Sequence, residues 1–227
     1  MSNNDASLAV QRKDFFQVPF FVVDLPTAPE LQADLLLTAD MVERGVEGLA
    51  DPRPMVTRHG DLTASSRNLL AHDECPGVTK LRKLLTQVVA ATVHGVNQHR
   101  WAASVRADDL VISYTSWMHV TQSGGSHSAH CHPNSAWSGI YTVQAGQTAD
   151  GSGGVRFHNP AALVYHDPST AFLDGMGWRA VDVTPVDGRL LLFPSFVIHE
   201  VLPYLGTEPR VTINFNMTFA LPTVAGD

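Results

Sequence analysis

The chain has 227 residues, 44% of them hydrophobic and 16% charged, with a formal net charge of −7 and a pI near 5.8. That length suits one large core, and the acidic balance without a basic cluster argues against nucleic acid or an acidic membrane surface as a partner. No apolar run approaches the roughly 18 residues of a membrane span, the N-terminus lacks the apolar stretch of a secretory leader, and two cysteines, Cys75 and Cys131, imply no disulfide framework, so a cytoplasmic protein without a membrane partner is expected.

Residues 1–14 are polar and read as a flexible N-terminus, with 15–227 as a single domain. Phe15 to Val23 reads as a strand, placed at a sheet edge by Pro19. Thr27-Ala28-Pro29-Glu30 is a capping box with proline in the first turn, and predicts a helix running to about Gly45. The polar stretch 51–76 reads as loop that could reach over a site. From Val78, apolar residues at 81, 84, 85, 88, 89, 93 and 96 follow the helical period, so a second amphipathic helix should pack on a sheet and complete a helical buttress over about 27–99.

Beyond residue 109 the texture changes to short β-rich runs, at 109–121, 137–145, 153–158, 178–184, 188–193, 196–202 and 210–220, separated by Gly, Pro, Asp and Asn. Such spacing predicts a sandwich or barrel over about 109–220.

The chemistry concentrates in this half. His130 and His132 are two apart, so on a strand they share a face and can reach one metal ion. His199 closes a distant apolar run, and a third ligand from there leaves part of the coordination sphere open. Arg210 and Thr212 share a face for the same reason, as do Asn214 and Asn216, and a guanidinium fork suits a carboxylate. His127 competes as a ligand, but Ser123-Gly124-Gly125-Ser126 before it reads as a loop entering a strand, not a helix that would align it with His130. His119, His158 and His166 read as core or rim residues, and His59, His72, His94 and His99 as surface. A structural zinc site would usually have four protein ligands and would leave Arg210 unexplained.

The run His130-Cys131-His132, His199, Arg210-Val211-Thr212 resembles the signature of Fe(II)/2-oxoglutarate-dependent oxygenases: His-x-Asp/Glu, a distant His, and an Arg followed two on by Ser or Thr. It is closest to a 2OG-Fe(II) oxygenase subfamily with a His-x-His-Pro motif, through Ser116-Trp117, His130 to Pro133, Ser138-Gly139-Ile140-Tyr141, Gly153 to Phe157, Pro194-Ser195, His199-Glu200 and Glu208-Pro209-Arg210. This resemblance covers roughly 109–219. It implies a double-stranded β-helix, a cupin-like jelly roll, with His130, His132 and His199 as catalytic metal ligands for Fe(II). Arg210 would bind the far carboxylate of 2-oxoglutarate beside Thr212. Ser138, Tyr141 and Asn214 would line the barrel mouth as further cofactor contacts, with cross-strand packing as the competing explanation. Trp117, Asn134 and Trp137 are candidate substrate contacts, although aromatics in a β-core more often just pack. The implied reaction is hydroxylation of a small molecule or peptide with dioxygen.

One departure matters: His132 stands where most of the superfamily carries Asp or Glu. Three imidazoles add no negative charge, so a bound ion keeps its full charge and favours an anionic chelator; they also suit zinc, copper and nickel. Two rivals follow, a three-histidine cupin-type dioxygenase that needs no oxo-acid, and a non-enzymatic metal or small-molecule binding protein. Substrate identity and oligomeric state are not encoded in these motifs, because a shared scaffold hosts many reactions.

Overall fold

The computed structural model describes residues 18–25, 29–49, 57–65, 68–147, 151–160 and 180–221. Among them are two helices, α1 (Pro29–Glu43) and α2 (Val78–Asn97), and eleven strands. The strands are β1 (Phe21–Asp24), β2 (Arg58–His59), β3 (Leu62–Ala64), β4 (Val111–Thr121), β5 (Ser126–His130), β6 (Trp137–Gln144), β7 (Val155–His158), β8 (Ala180–Val183), β9 (Arg189–Pro194), β10 (His199–Val201) and β11 (Arg210–Ala220).

They form two antiparallel sheets, β1-β9-β6-β11-β4-β3 and β2-β5-β10-β7-β8, the two-sheet plan of a jelly roll. Alternation along β11 explains how the layers are held. Val211, Ile213, Phe215 and Met217 join the large cluster with Leu35, Leu81, Leu85 and Val89 of the two helices. The intervening Arg210, Thr212, Asn214 and Asn216 point the other way, toward the second sheet. Between the sheets lies a smaller apolar cluster of Ile140, Val155, Phe157, Leu191, Phe193 and Val197. Both helices therefore buttress the six-stranded sheet from outside, and the barrel interior is left free for polar groups.

α2 follows the predicted period, burying Val78, Leu81, Leu85, Val89, Ala90 and Val93. Among the described residues β1 is an edge strand paired only with β9, as Pro19 suggested; the expected start of this strand at Phe15 and the capping Thr27 fall outside the described residues. The long loop expected over 51–76 needs correction. It carries β2 and β3 plus one 3-10 turn, Leu69–Ala71, and strands of two and three residues are too short to show a period. β2 pairs with β5 of one sheet and β3 with β4 of the other, so this segment straps the two sheets together along one edge. β5 lies outside the predicted β runs and is the strand that the Ser123-Gly124-Gly125-Ser126 loop reads as entering. No helix among the described residues is long and apolar enough to cross a membrane.

Candidate metal centre

The site begins with an irregularity. Along the β5–β10 ladder His199 faces His130, but Val201 faces His127, so four residues on β5 oppose three on β10. Such a bulge re-aims one side chain. It turns both His127 and His130 inward, where strict alternation would separate them. β5 ends at His130, and His132 reaches the site from the following turn, anchored by its backbone N–H donating to the Ser195 carbonyl at 2.9 Å. The expected shared face of His130 and His132 is thus achieved by a strand end and a turn.

The ligating atoms of His130, His132 and His199 lie within 4.8 Å of one another. The Nδ1 of His130 sits 2.7 Å from the Ser128 carbonyl and that of His199 3.0 Å from the Val197 carbonyl. Donation from Nδ1 leaves the Nε2 lone pair for a metal. Burial is the main cause that pushes the His199 pKa down to about 3 and that of His132 to about 4, and it lowers His130 as well. All three are therefore neutral, the form that ligates, at pH 7. His127 is held differently: its Nε2 contacts the Thr57 hydroxyl at 3.2 Å and its Nδ1 lies 3.0 Å from Nδ1 of His130. With both nitrogens engaged it braces His130 and lies outside the group of three histidines that could hold an ion.

Arg210 opens β11 with only 2% of its surface exposed. Burial pulls its pKa down to about 10, so it remains charged. Among the described residues its Nε has no hydrogen-bond partner. Glycine at Gly153, with φ +66, lets the chain pass, since a Cβ there would lie 3.0 Å from Arg210 Cδ. Directly across from Arg210 on β4 is Thr121. Along the inner face of that strand Trp117 Nε1, His119 Nε2 and Thr121 Oγ1 are all buried without a partner. Native structures rarely leave such atoms unpaired, and a row of them beside a buried guanidinium marks a place for an acceptor-rich ligand.

Other predicted residues divide by face. Thr212 shares Arg210's face, and its Oγ1 accepts from Asn214 Nδ2 at 3.3 Å. Ser138 is within 2.8 Å of the Ser195 hydroxyl and donates to Asn216 Oδ1 at 2.8 Å. Trp117 lines the same cavity, its ring 5.7 Å from that of His132. Tyr141 is a correction: it alternates with Ser138 and Ile140 on β6 and packs fully buried in the cluster against the helices, away from the cavity. Trp137 is another, packing on the same outer side with its ring 5.8 Å from that of Phe21. Asn134 is exposed in a turn with φ 76, a left-handed conformation Asn tolerates, and does not line the cavity. His119 was missed as a site residue, although its position two after Trp117 on one strand placed it on the same face.

Residues 115–216 match the family model described as "Putative 2OG-Fe(II) oxygenase". This stretch of the chain resembles the 2OG-Fe(II) oxygenases. Solved structures agree on the fold. A prolyl-4-hydroxylase from Pseudomonas putida aligns with TM-score 0.56 at 18% identity, over 87% of this chain and 91% of its own. A Trichoplax adhaerens prolyl hydroxylase, in complex with a hypoxia inducible factor peptide fragment, aligns with TM-score 0.54 at 15% identity, over 87% and 82%. The epimerase SnoN from nogalamycin biosynthesis aligns with TM-score 0.57 at 13% identity, over 92% and 84%. At these identities they establish a double-stranded β-helix fold. No curated protein sequence matches the chain. Members of that family are enzymes, and the three neutral imidazoles and the unpartnered donors near Arg210 suit a divalent ion with an anionic chelator.

Proposed function

We propose that the protein is an Fe(II)- and 2-oxoglutarate-dependent oxygenase, a hydroxylase of a small molecule or peptide. One observation carries the reading: three neutral histidine ligands within 4.8 Å share a barrel interior with a buried arginine whose Nε has no partner. His130, His132 and His199 would hold the iron, and Arg210, with Thr212 on its face, would hold the far carboxylate of 2-oxoglutarate. When bound, these groups supply dioxygen activation coupled to decarboxylation of the oxo-acid to succinate and to oxidation of the substrate.

The chain's own contribution is positional. The carbonyls of Ser128 and Val197 orient two of the ligand rings. Arg210, desolvated and unable to move its charge elsewhere, fixes the orientation of a dicarboxylate. The apolar cluster around Phe157 and Phe193 borders His199 and limits water on that side. Ser138 and Asn214 would complete the cosubstrate's surroundings, and Trp117, beside His132, would meet the substrate. The solved relatives include one prolyl hydroxylase complexed with a peptide and an epimerase complexed with nogalamycin RO, which supports peptides and small molecules alike as classes to screen. A cytoplasmic setting would keep Cys75 and Cys131 reduced and supply ferrous iron.

The test is anaerobic titration of Fe(II)-loaded protein with 2-oxoglutarate, following the weak visible charge-transfer band of a chelated oxo-acid. A saturable band supports the reading. Bound iron without a band transfers the weight to a three-histidine dioxygenase that needs no oxo-acid.

A further inference from the structure

The inner face of β4 carries a group that the reading above does not use. His119 is 7% exposed, and its Nε2 is buried without a partner. Across the ladder it faces Thr212, while Arg210, two residues before Thr212 on the same face, stands opposite Thr121. On its other side its ring lies 5.6 Å from that of His127 at an interplanar angle of 29°, and His127 in turn touches His130. His119 therefore occupies the interval between the metal ligands and the arginine. Trp117, the other unpartnered ring on this face, sits beside His132 instead.

The electrostatics say what could fill that interval. Burial is the main cause that holds the His119 pKa well below its ordinary value, and the Arg58 and Arg210 guanidinium groups act in the same direction. A neutral imidazole near these two cations meets an anion as an N–H donor, and a buried donor with no protein acceptor implies an acceptor brought by a ligand.

We propose that His119 is a cosubstrate-binding residue whose Nε2–H donates to the distal carboxylate of the oxo-acid, so that β4 and β11 grip that group from two strands. This rests on the 2-oxoglutarate reading. It adds a specificity element: an oxo-acid that ends short of Arg210 gains nothing from His119.

The experiment uses the Fe(II)-loaded full chain, titrated anaerobically with 2-oxoglutarate and separately with pyruvate, which has the same chelating atoms but no distal carboxylate. His119→Phe should loosen 2-oxoglutarate about ten- to a hundredfold, the scale of a hydrogen bond to a charged group, while iron stoichiometry and pyruvate affinity stay at the wild-type values. His119→Gln, which retains an N–H donor, should recover most of the affinity. If His119→Phe binds 2-oxoglutarate as tightly as the wild type does, the assignment fails while the oxygenase reading stands. Equal loosening of pyruvate also overturns it, because the effect would then run through the metal centre. A wild-type protein that binds iron but no 2-oxoglutarate removes both readings together.

Discussion

The Nδ1 atoms of His127 and His130 lie 3.0 Å apart inside the barrel, although residues three apart on a regular strand face opposite ways. The bulge opposite His199 and Val201 brings them together. Thr57, His127 and His130 then form a chain of contacts that runs from the strap segment to the candidate metal centre.

This arrangement separates ligand from brace by mutation. His199→Ala should abolish stoichiometric Fe(II) binding, because a two-histidine remnant holds iron poorly. His127→Ala should keep one iron per chain and lower its affinity by about ten- to a hundredfold, the usual cost of losing a residue that orients a ligand. Metal analysis after desalting, with an affinity titration, distinguishes them. Full iron retention by His199→Ala would remove it from the ligand set.

Arg210→Ala should weaken 2-oxoglutarate binding by about 2–3 kcal/mol while sparing the metal, since it removes a charge-assisted contact. Gly153→Ala should act in the same direction but more weakly. The new Cβ would press on the Arg210 stem, in a backbone conformation with φ +66 that a side chain disfavours. Unchanged cosubstrate affinity in Arg210→Ala would exclude its assigned role.

Tyr141→Leu should cost stability and leave oxo-acid affinity intact. The residue is fully buried in the cluster between the six-stranded sheet and the helices, where shrinking an aromatic opens a cavity worth on the order of 2–4 kcal/mol. Urea denaturation and the charge-transfer titration on the same variant check both halves. A selective loss of 2-oxoglutarate binding would restore Tyr141 to the cavity.

The metal-free protein should lose stability as pH falls below about 6.5. His199 and His127, with pKa values lowered to about 3, and His132, lowered to about 4, stay neutral when folded but take up protons when unfolded at the ordinary 6.5. The unfolded state then binds more protons, so stability present above pH 6.5 declines toward pH 3. For His199 alone the loss is about 2 kcal/mol at pH 5. Urea midpoints at pH 7.5 and 5 measure it, and a flat profile would contradict the burial of these rings.

Much of the site was legible because period-two alternation needs only neighbouring letters. That rule aligned Arg210 with Thr212 and Asn214, and the apolar run 188–193 read directly as a buried strand, although the residues between it and His199 form a turn with Phe196 and Ile198 exposed. It could not say which face of β6 looks inward. Six of its eight residues, Ser138 through Val143, are buried on both sides, so Ser138 and Tyr141 were indistinguishable by hydrophobicity although only Ser138 enters the cavity. Nor could it find the strap of β2 and β3, whose strands are too short for any period.

By itself, then, the sequence determined the β-rich half, the amphipathic helix α2, and the histidines and arginine able to bind an ion and an anion, because composition and local spacing are properties of adjacent residues. Only the tertiary structure decided which of them converge. The bulge that turns His127 onto His130, the turn that delivers His132, and the pairing that sets His119 opposite Thr212 all depend on strands distant in the chain, whose register is set by packing of the whole barrel.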